Sequence, residues 1–178
     1  MFNGMSEHWL KQAESWHEFY LLVGSAGAAL LGLMFVVVSL GPSVVSQRQQ
    51  SVRAFCTPII VDFTSALVVS ALMMVPGFAP PLLGVALASS GFAGLIYQFS
   101  TGAHGQWRQN KLPAIDWIWF VGLQYFGYGV VLAAAIAIWQ EKFLGLYAVA
   151  SAALLFVIIG IRNSWDLVLW FAERARSS

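Results

Sequence analysis

Long apolar runs joined by short polar links make up most of this chain. Five runs stand out: Phe19–Leu40, Ala54–Val75, Leu82–Phe99, Ile115–Ile138 and Phe143–Ile161. Each approaches or exceeds the roughly 18–20 residues needed to cross the hydrocarbon of a bilayer. Such runs predict helices, because a spanning segment has no water for its backbone and must satisfy its hydrogen bonds internally. The links agree with this partition. Gly41-Pro42-Ser43 closes the first run, and Pro76-Gly77-Phe78-Ala79-Pro80-Pro81 makes a tight uncharged turn between the second and third. Ser100 to Ala114 is the longest loop, and Gln140-Glu141-Lys142 is a minimal link between the last two runs.

The two ends read differently from the middle. Trp9, Ala13, Trp16 and Tyr20 recur at spacings of four, three and four, which places them on one face of a helix. Residues 1–18 are therefore expected to form an amphipathic interfacial segment, with 19–163 as a five-helix transmembrane domain. Residues 1–18 hold three glutamates and one lysine, and the run that follows is too long for a signal peptide's apolar core. Leu167, Trp170, Phe171 and Arg174 suggest that the fifth helix continues into an amphipathic cytoplasmic tail over 164–178.

Composition strengthens the membrane reading. The chain has 178 residues, 59% of them hydrophobic and 10% charged, where a soluble domain carries about 25% charged residues. A water-soluble domain of this size could not hide so much apolar surface. Charge adds an orientation. With the N-terminus outside, Arg48, Arg53, Arg108, Lys111, Arg162, Arg174 and Arg176 fall on the cytoplasmic side, against Lys11 and Lys142 outside. Short loops biased in this way follow the positive-inside rule. The expected fold is an all-α integral membrane bundle of five transmembrane helices, N-outside and C-inside. The net charge of +1 gives no reason to propose nucleic acid as a partner.

Asp62 is the residue that most invites a function. It lies well inside the second apolar run. An acid at such depth costs roughly 2.5–3.5 kcal/mol on insertion scales, so it faces protein or water and marks a candidate site. Pro58 lies one turn before it and Ser65 one turn after, on the same face. Proline removes one helical hydrogen bond and frees the carbonyl of Ala54. A carboxylate, a hydroxyl and a free carbonyl on one face could line a hydrated path or hold a cation. The alternative is an aspartate hydrogen-bonded to a neighbouring helix as part of the packing. Arg162 is the candidate cation for Asp62, although Asp166 one turn on could claim it locally and its side chain could also reach the headgroups.

Small residues carry a packing message. Gly24, Ala28 and Gly32 repeat every four residues, and Gly84, Ala88 and Gly91 form a similar stripe in the third run. Such stripes allow close helix approach within a chain or between copies. Other chemistry is thin. A single cysteine, Cys56, excludes an internal disulfide. Glu14-Ser15-Trp16-His17 has the spacing of a di-iron ligand pair but no second copy. No nucleophile elbow or phosphate loop is present. No metal, cofactor or enzymatic activity is expected.

Glu18-Phe19-Tyr20-Leu21-Leu22-Val23-Gly24-Ser25-Ala26-Gly27, continuing to Ser39, resembles the openings of small bacterial inner-membrane proteins of unassigned function, and Ile161-Arg162-Asn163-Ser164-Trp165-Asp166 is similar to a turn in them. The resemblance implies a location and no activity. The expected function is that of a small homo-oligomeric channel or transporter-like protein, with Asp62 on a path along a symmetry axis or between subunits. The alternative is a structural or accessory subunit that docks other membrane proteins through its glycine-rich faces.

Overall fold

The computed structural model of the chain describes residues 8, 9, 11–40, 49–103 and 118–175. Gly41-Pro42-Ser43, Arg48, Arg108, Lys111, Pro113 and Arg176 lie outside the described residues, as do the side chains of Arg53, Trp170, Phe171 and Arg174. Every element among the described residues is helical. The order is α1 (His17–Leu40), α2 (Gln49–Met73), α3 (Pro80–Ala103), α4 (Leu123–Trp139) and α5 (Leu144–Ala175). A π-helical turn, Ile118–Gly122, leads into α4.

Four helices contain stretches long and apolar enough to cross a bilayer: His17–Ser39, Cys56–Met73, Pro80–Ser100 and Leu144–Leu169. The α4 helix is apolar but shorter, at 17 residues, or about 25 Å of rise. The fourth apolar run, read as a span, thus yields a shorter helix behind a π turn. The outward faces fit lipid as the solvent. Leu22, Ile96, Phe99 and Leu144 are exposed by 69, 68, 72 and 71%, a pattern that water would penalise. The described residues are all-helical, and their four long apolar helices make this a membrane protein.

The helices pack in a folded row. α3 lies along α4, α4 along α5, α5 along α2, and α2 along α1. The row bends back so that α3 also touches α2 and α1 touches α5, each over a short stretch. One core draws on all five helices, with Tyr20, Ala66, Leu87, Val131, Ile138, Leu146 and Phe156 among its buried members. A smaller cluster of Met34, Cys56, Ile59, Phe63 and Leu167 joins α1, α2 and α5.

Glycine decides where these helices approach most closely. A methyl group at Gly84 would come 2.9 Å from the Ala135 carbonyl, and one at Gly91 would come 2.9 Å from Leu132. The stripe in α3 therefore docks α4, with Ala88 packed against the same core. The stripe in α1 divides. Gly24 faces Ser70 of α2, where a methyl would sit 3.0 Å from its Cβ, while Ala28 is exposed and Gly32 has nothing within 4 Å. Gly27 is the second contact, 3.2 Å from the Phe63 carbonyl by the same measure. The close face of α1 thus follows a three-residue step from Gly24 to Gly27, set by the angle at which α2 crosses it.

The N-terminal segment folds onto the bundle. Trp9 and Tyr20 are buried, and Ala13 and Trp16 pack against the same core, so the four residues do share a side and that side meets protein. The Tyr20 hydroxyl donates to the Leu146 carbonyl at 2.7 Å. Trp16 meets Tyr147 edge-to-face at 4.7 Å, and His8 meets Phe143 at 5.4 Å. The same end of the bundle carries two tight links. Gly77 takes a left-handed φ of 77° between α2 and α3. After α4, the Glu141 amide donates to the Ile138 carbonyl and the Lys142 amide to the Ala137 carbonyl, with Glu141 at φ 55°. That pair of bonds is a Schellman ending, which reverses the chain into α5 within a few residues.

Candidate functional site

The side chain of Asp62 is wholly buried, at 0% exposure, where three helices converge. The Gln124 Nε2 of α4 donates to both carboxyl oxygens, 2.8 Å from Oδ1 and 2.9 Å from Oδ2. The Asn163 Nδ2 of α5 makes a longer contact of 3.5 Å to Oδ2. Both amides are themselves buried, each at 1% exposure. A charged or strongly polar group can be held in this setting because neutral donors replace the water it lost.

Aromatic rings and glycines bring the three helices to this point. Phe63 follows Asp62 on α2 and lies over Gly160 of α5, where a methyl would come 2.5 Å from the ring. That contact is one turn before Asn163. Phe156 of α5 lies over Gly127 of α4, one turn after Gln124, at 2.9 Å by the same measure. Each ring needs a glycine opposite it to lie flat between helices, and together they bracket the polar cluster with apolar surface. Water is kept from the carboxyl group by this packing.

A half-open cleft of about 290 Å³ lies between α2, α3 and α4, lined on α2 by Val61, Thr64 and Ser65, which flank Asp62. Its polar lining comes from Thr64, Ser65, Ser90, Tyr97 and Tyr128. The Ser65 and Tyr128 hydroxyls share a hydrogen bond of 2.7 Å across it. Asp62 is not part of this lining. The cleft exists because α2 and α3 touch only briefly and because Gly94 gives its space to the Tyr128 ring.

The remaining sequence candidates are placed as follows. Ser65 reaches the cleft, and Pro58 lies half-buried one turn before Asp62. Arg162 pairs with Asp166 one turn along its own helix and takes no part in the Asp62 cluster. Its neighbour Asn163 occupies that place, since consecutive helical residues point about 100° apart. Cys56 is a buried free thiol in the smaller core. Glu14 and His17 are exposed, and among the described residues no three His, Cys, Asp or Glu side chains gather as a metal site would require.

Sequence reading did not select Gln124 and Asn163 as partners of Asp62. A signal was present: a carboxamide inside or at the edge of an apolar run is costly for the same reason an acid is. Comparison with protein-family models, curated proteins and solved structures finds no match. Function is therefore argued from the site.

Proposed function

We propose that this is a five-span bacterial inner-membrane protein, N-outside and C-inside, that moves an ion through an occluded site at Asp62. One observation carries the proposal. Asp62 is a fully buried acid that no basic side chain among the described residues approaches, held by carboxamides from two other helices. A bare carboxylate in hydrocarbon is expensive, and neutral amide donors offset only part of that cost. Such a group is completed by an ion arriving from solution. Enclosure on all sides fits a carrier that exposes its site in turn better than a permanently open pore. The five-span count rests on α4 with its preceding π turn, and the orientation on the seven-to-two split of basic residues. A homo-oligomer belongs to the same proposal, with Ala28 and Gly32 offering a small-residue face on the outside of α1.

The second reading is an accessory subunit in which Asp62 only ties helices together. It is favoured by the same enclosure, because Asp62 bonds to two helices and lines no cleft. Flux of H⁺, Na⁺ and K⁺ into proteoliposomes across pH separates the two. Ion transport predicts flux in the wild type and its loss in a folded Asp62→Asn variant, which keeps the shape of the acid without its titratable proton. Absence of flux in every condition, or equal flux in the variant, overturns the proposal in favour of the accessory subunit.

A further inference from the structure

The Asp62 cluster contains more acceptors than it uses. The Gln124 Oε1 and the Asn163 Oδ1 are both buried and accept no hydrogen bond among the described residues. An unsatisfied buried acceptor costs about 1–3 kcal/mol. Two such oxygens beside a carboxyl group, itself an acceptor on both atoms when ionised, make a site short of donors. An acid proton supplies the missing donor.

The geometry of Gln124 explains how that proton is held. The two arms of a carboxamide are almost the same size, so a half-turn about the terminal bond exchanges the NH₂ for the carbonyl oxygen in one place. With the NH₂ inward, Nε2 lies 2.8 and 2.9 Å from the two carboxyl oxygens and serves the ionised acid. With Oε1 inward, the same heavy-atom positions accept the hydrogen bond of a neutral acid, whose O–H donates to the amide carbonyl. One side chain turning in place suits both states, with no movement of a helix. A metal cation would demand more. Several oxygens would have to converge around it, whereas a turned Gln124 adds one oxygen to the two of the carboxyl group.

We infer that Asp62 is a proton-binding site, and that the Gln124 carboxamide turns to hold its ionised and neutral states. This names the ion of the transport reading above and rests on that reading for its use. The step is a simple one: a proton from water adds to a carboxylate oxygen, and its return to water restores the anion. The titratable groups on the packed elements are few. Tyr97 of α3 and Tyr128 of α4 line the neighbouring cleft, and α5 brings the Arg162–Asp166 pair on an adjoining face. The α1 residues that meet α2 here, Gly24, Gly27 and Met34, carry no titratable group. The Ser65–Tyr128 hydroxyl pair lines the cleft one turn along α2 from Asp62.

Infrared difference spectroscopy of the full chain in lipid, titrated across pH, tests the inference. The wild type should show a buried-acid carbonyl band that gives way to carboxylate bands as pH rises, and Asp62→Asn should lose that component while the bands of the other seven acidic residues remain. With glutamine labelled at the side-chain carbonyl, one carboxamide band should move with the acid band. In Gln124→Met the acid band should shift to the position of an acid without a hydrogen-bonded partner. If Gln124→Met does not fold, a glutamine band that titrates in wild type and is silent in Asp62→Asn carries the same result. An Asp62 that never changes state, or a titration that leaves every glutamine band still, overturns the inference. A titrating Asp62 in a protein without flux sinks the transport reading and leaves the proton site. Sodium flux with no titrating band does the reverse.

Discussion

Where α3 meets α4, glycine brings two backbones together; where α2 meets α4, a carboxamide reaches a carboxyl group across a gap. The first seam is long, apolar and close, with Gly84 and Gly91 admitting the Ala135 carbonyl and Leu132. The second is a polar bridge between helices whose backbones have little direct contact. Lipid tails compete fully with leucine for apolar contact, so burial alone does not join helices in a bilayer. Close van der Waals fit and buried hydrogen bonds remain as the two means, and this protein applies them to different pairs of helices. A close-packed seam is suited to permanence. A polar bridge can be broken and remade when a proton arrives.

That contrast is sharpened by four substitutions. The largest effect is expected from Asp62→Leu, which leaves the Gln124 and Asn163 amides buried without their acceptor. About 2–4 kcal/mol of stability should be lost, read as reduced resistance to unfolding in detergent, and a variant as stable as wild type would show that the amides find other partners. Gly84→Leu should cost about 1–3 kcal/mol by forcing α3 from the Ala135 carbonyl, with the damage confined to the α3–α4 seam in hydrogen exchange. Spread of the disturbance to α2 and α5 would mean that seam and bridge are one cooperative unit.

The smaller effects probe the bridge and the outer face. Asp62→Asn should cost less than about 1 kcal/mol, since an amide both donates and accepts and single interhelical hydrogen bonds in membranes are weak. A loss as large as that of Asp62→Leu would mean that the charge itself holds α2 to α4. Gly32→Leu should leave the fold of one chain within about 0.5 kcal/mol of wild type, because nothing lies within 4 Å of that position. Its effect should appear in subunit cross-linking, and unchanged assembly would leave the outer face of α1 to lipid.

The sequence discloses these two devices unequally. Apolar runs mark the helices because lipid demands continuous apolar surface, and Asp62 stands out because charge is rare at that depth. The α3 stripe is legible as well, since a helix face repeats close to every four residues. What α1 does with its stripe is not, because the crossing angle chooses among Gly24, Gly27, Ala28 and Gly32. The partners of Asp62 lie 62 and 101 residues away, and nothing local tells which face of α4 or α5 turns inward. Arg162 was an apparent counter-ion by depth. Its local pairing with Asp166 and the inward turn of Asn163 come from the packing of α5 on α2.

The N-terminal segment sets an order of events during synthesis. Residues 8–20 leave the ribosome well before residues 143–147, yet His8, Trp16 and Tyr20 finish against Phe143, Tyr147 and the Leu146 carbonyl. Those partners exist only once most of the chain has been made. The segment therefore takes its final contacts only when the start of α5 has been made. A nascent chain stopped before residue 143 offers this segment only its earlier neighbours, such as Met73, Phe78 and Leu83, and not the partners that fix its two aromatic contacts and its buried hydrogen bond.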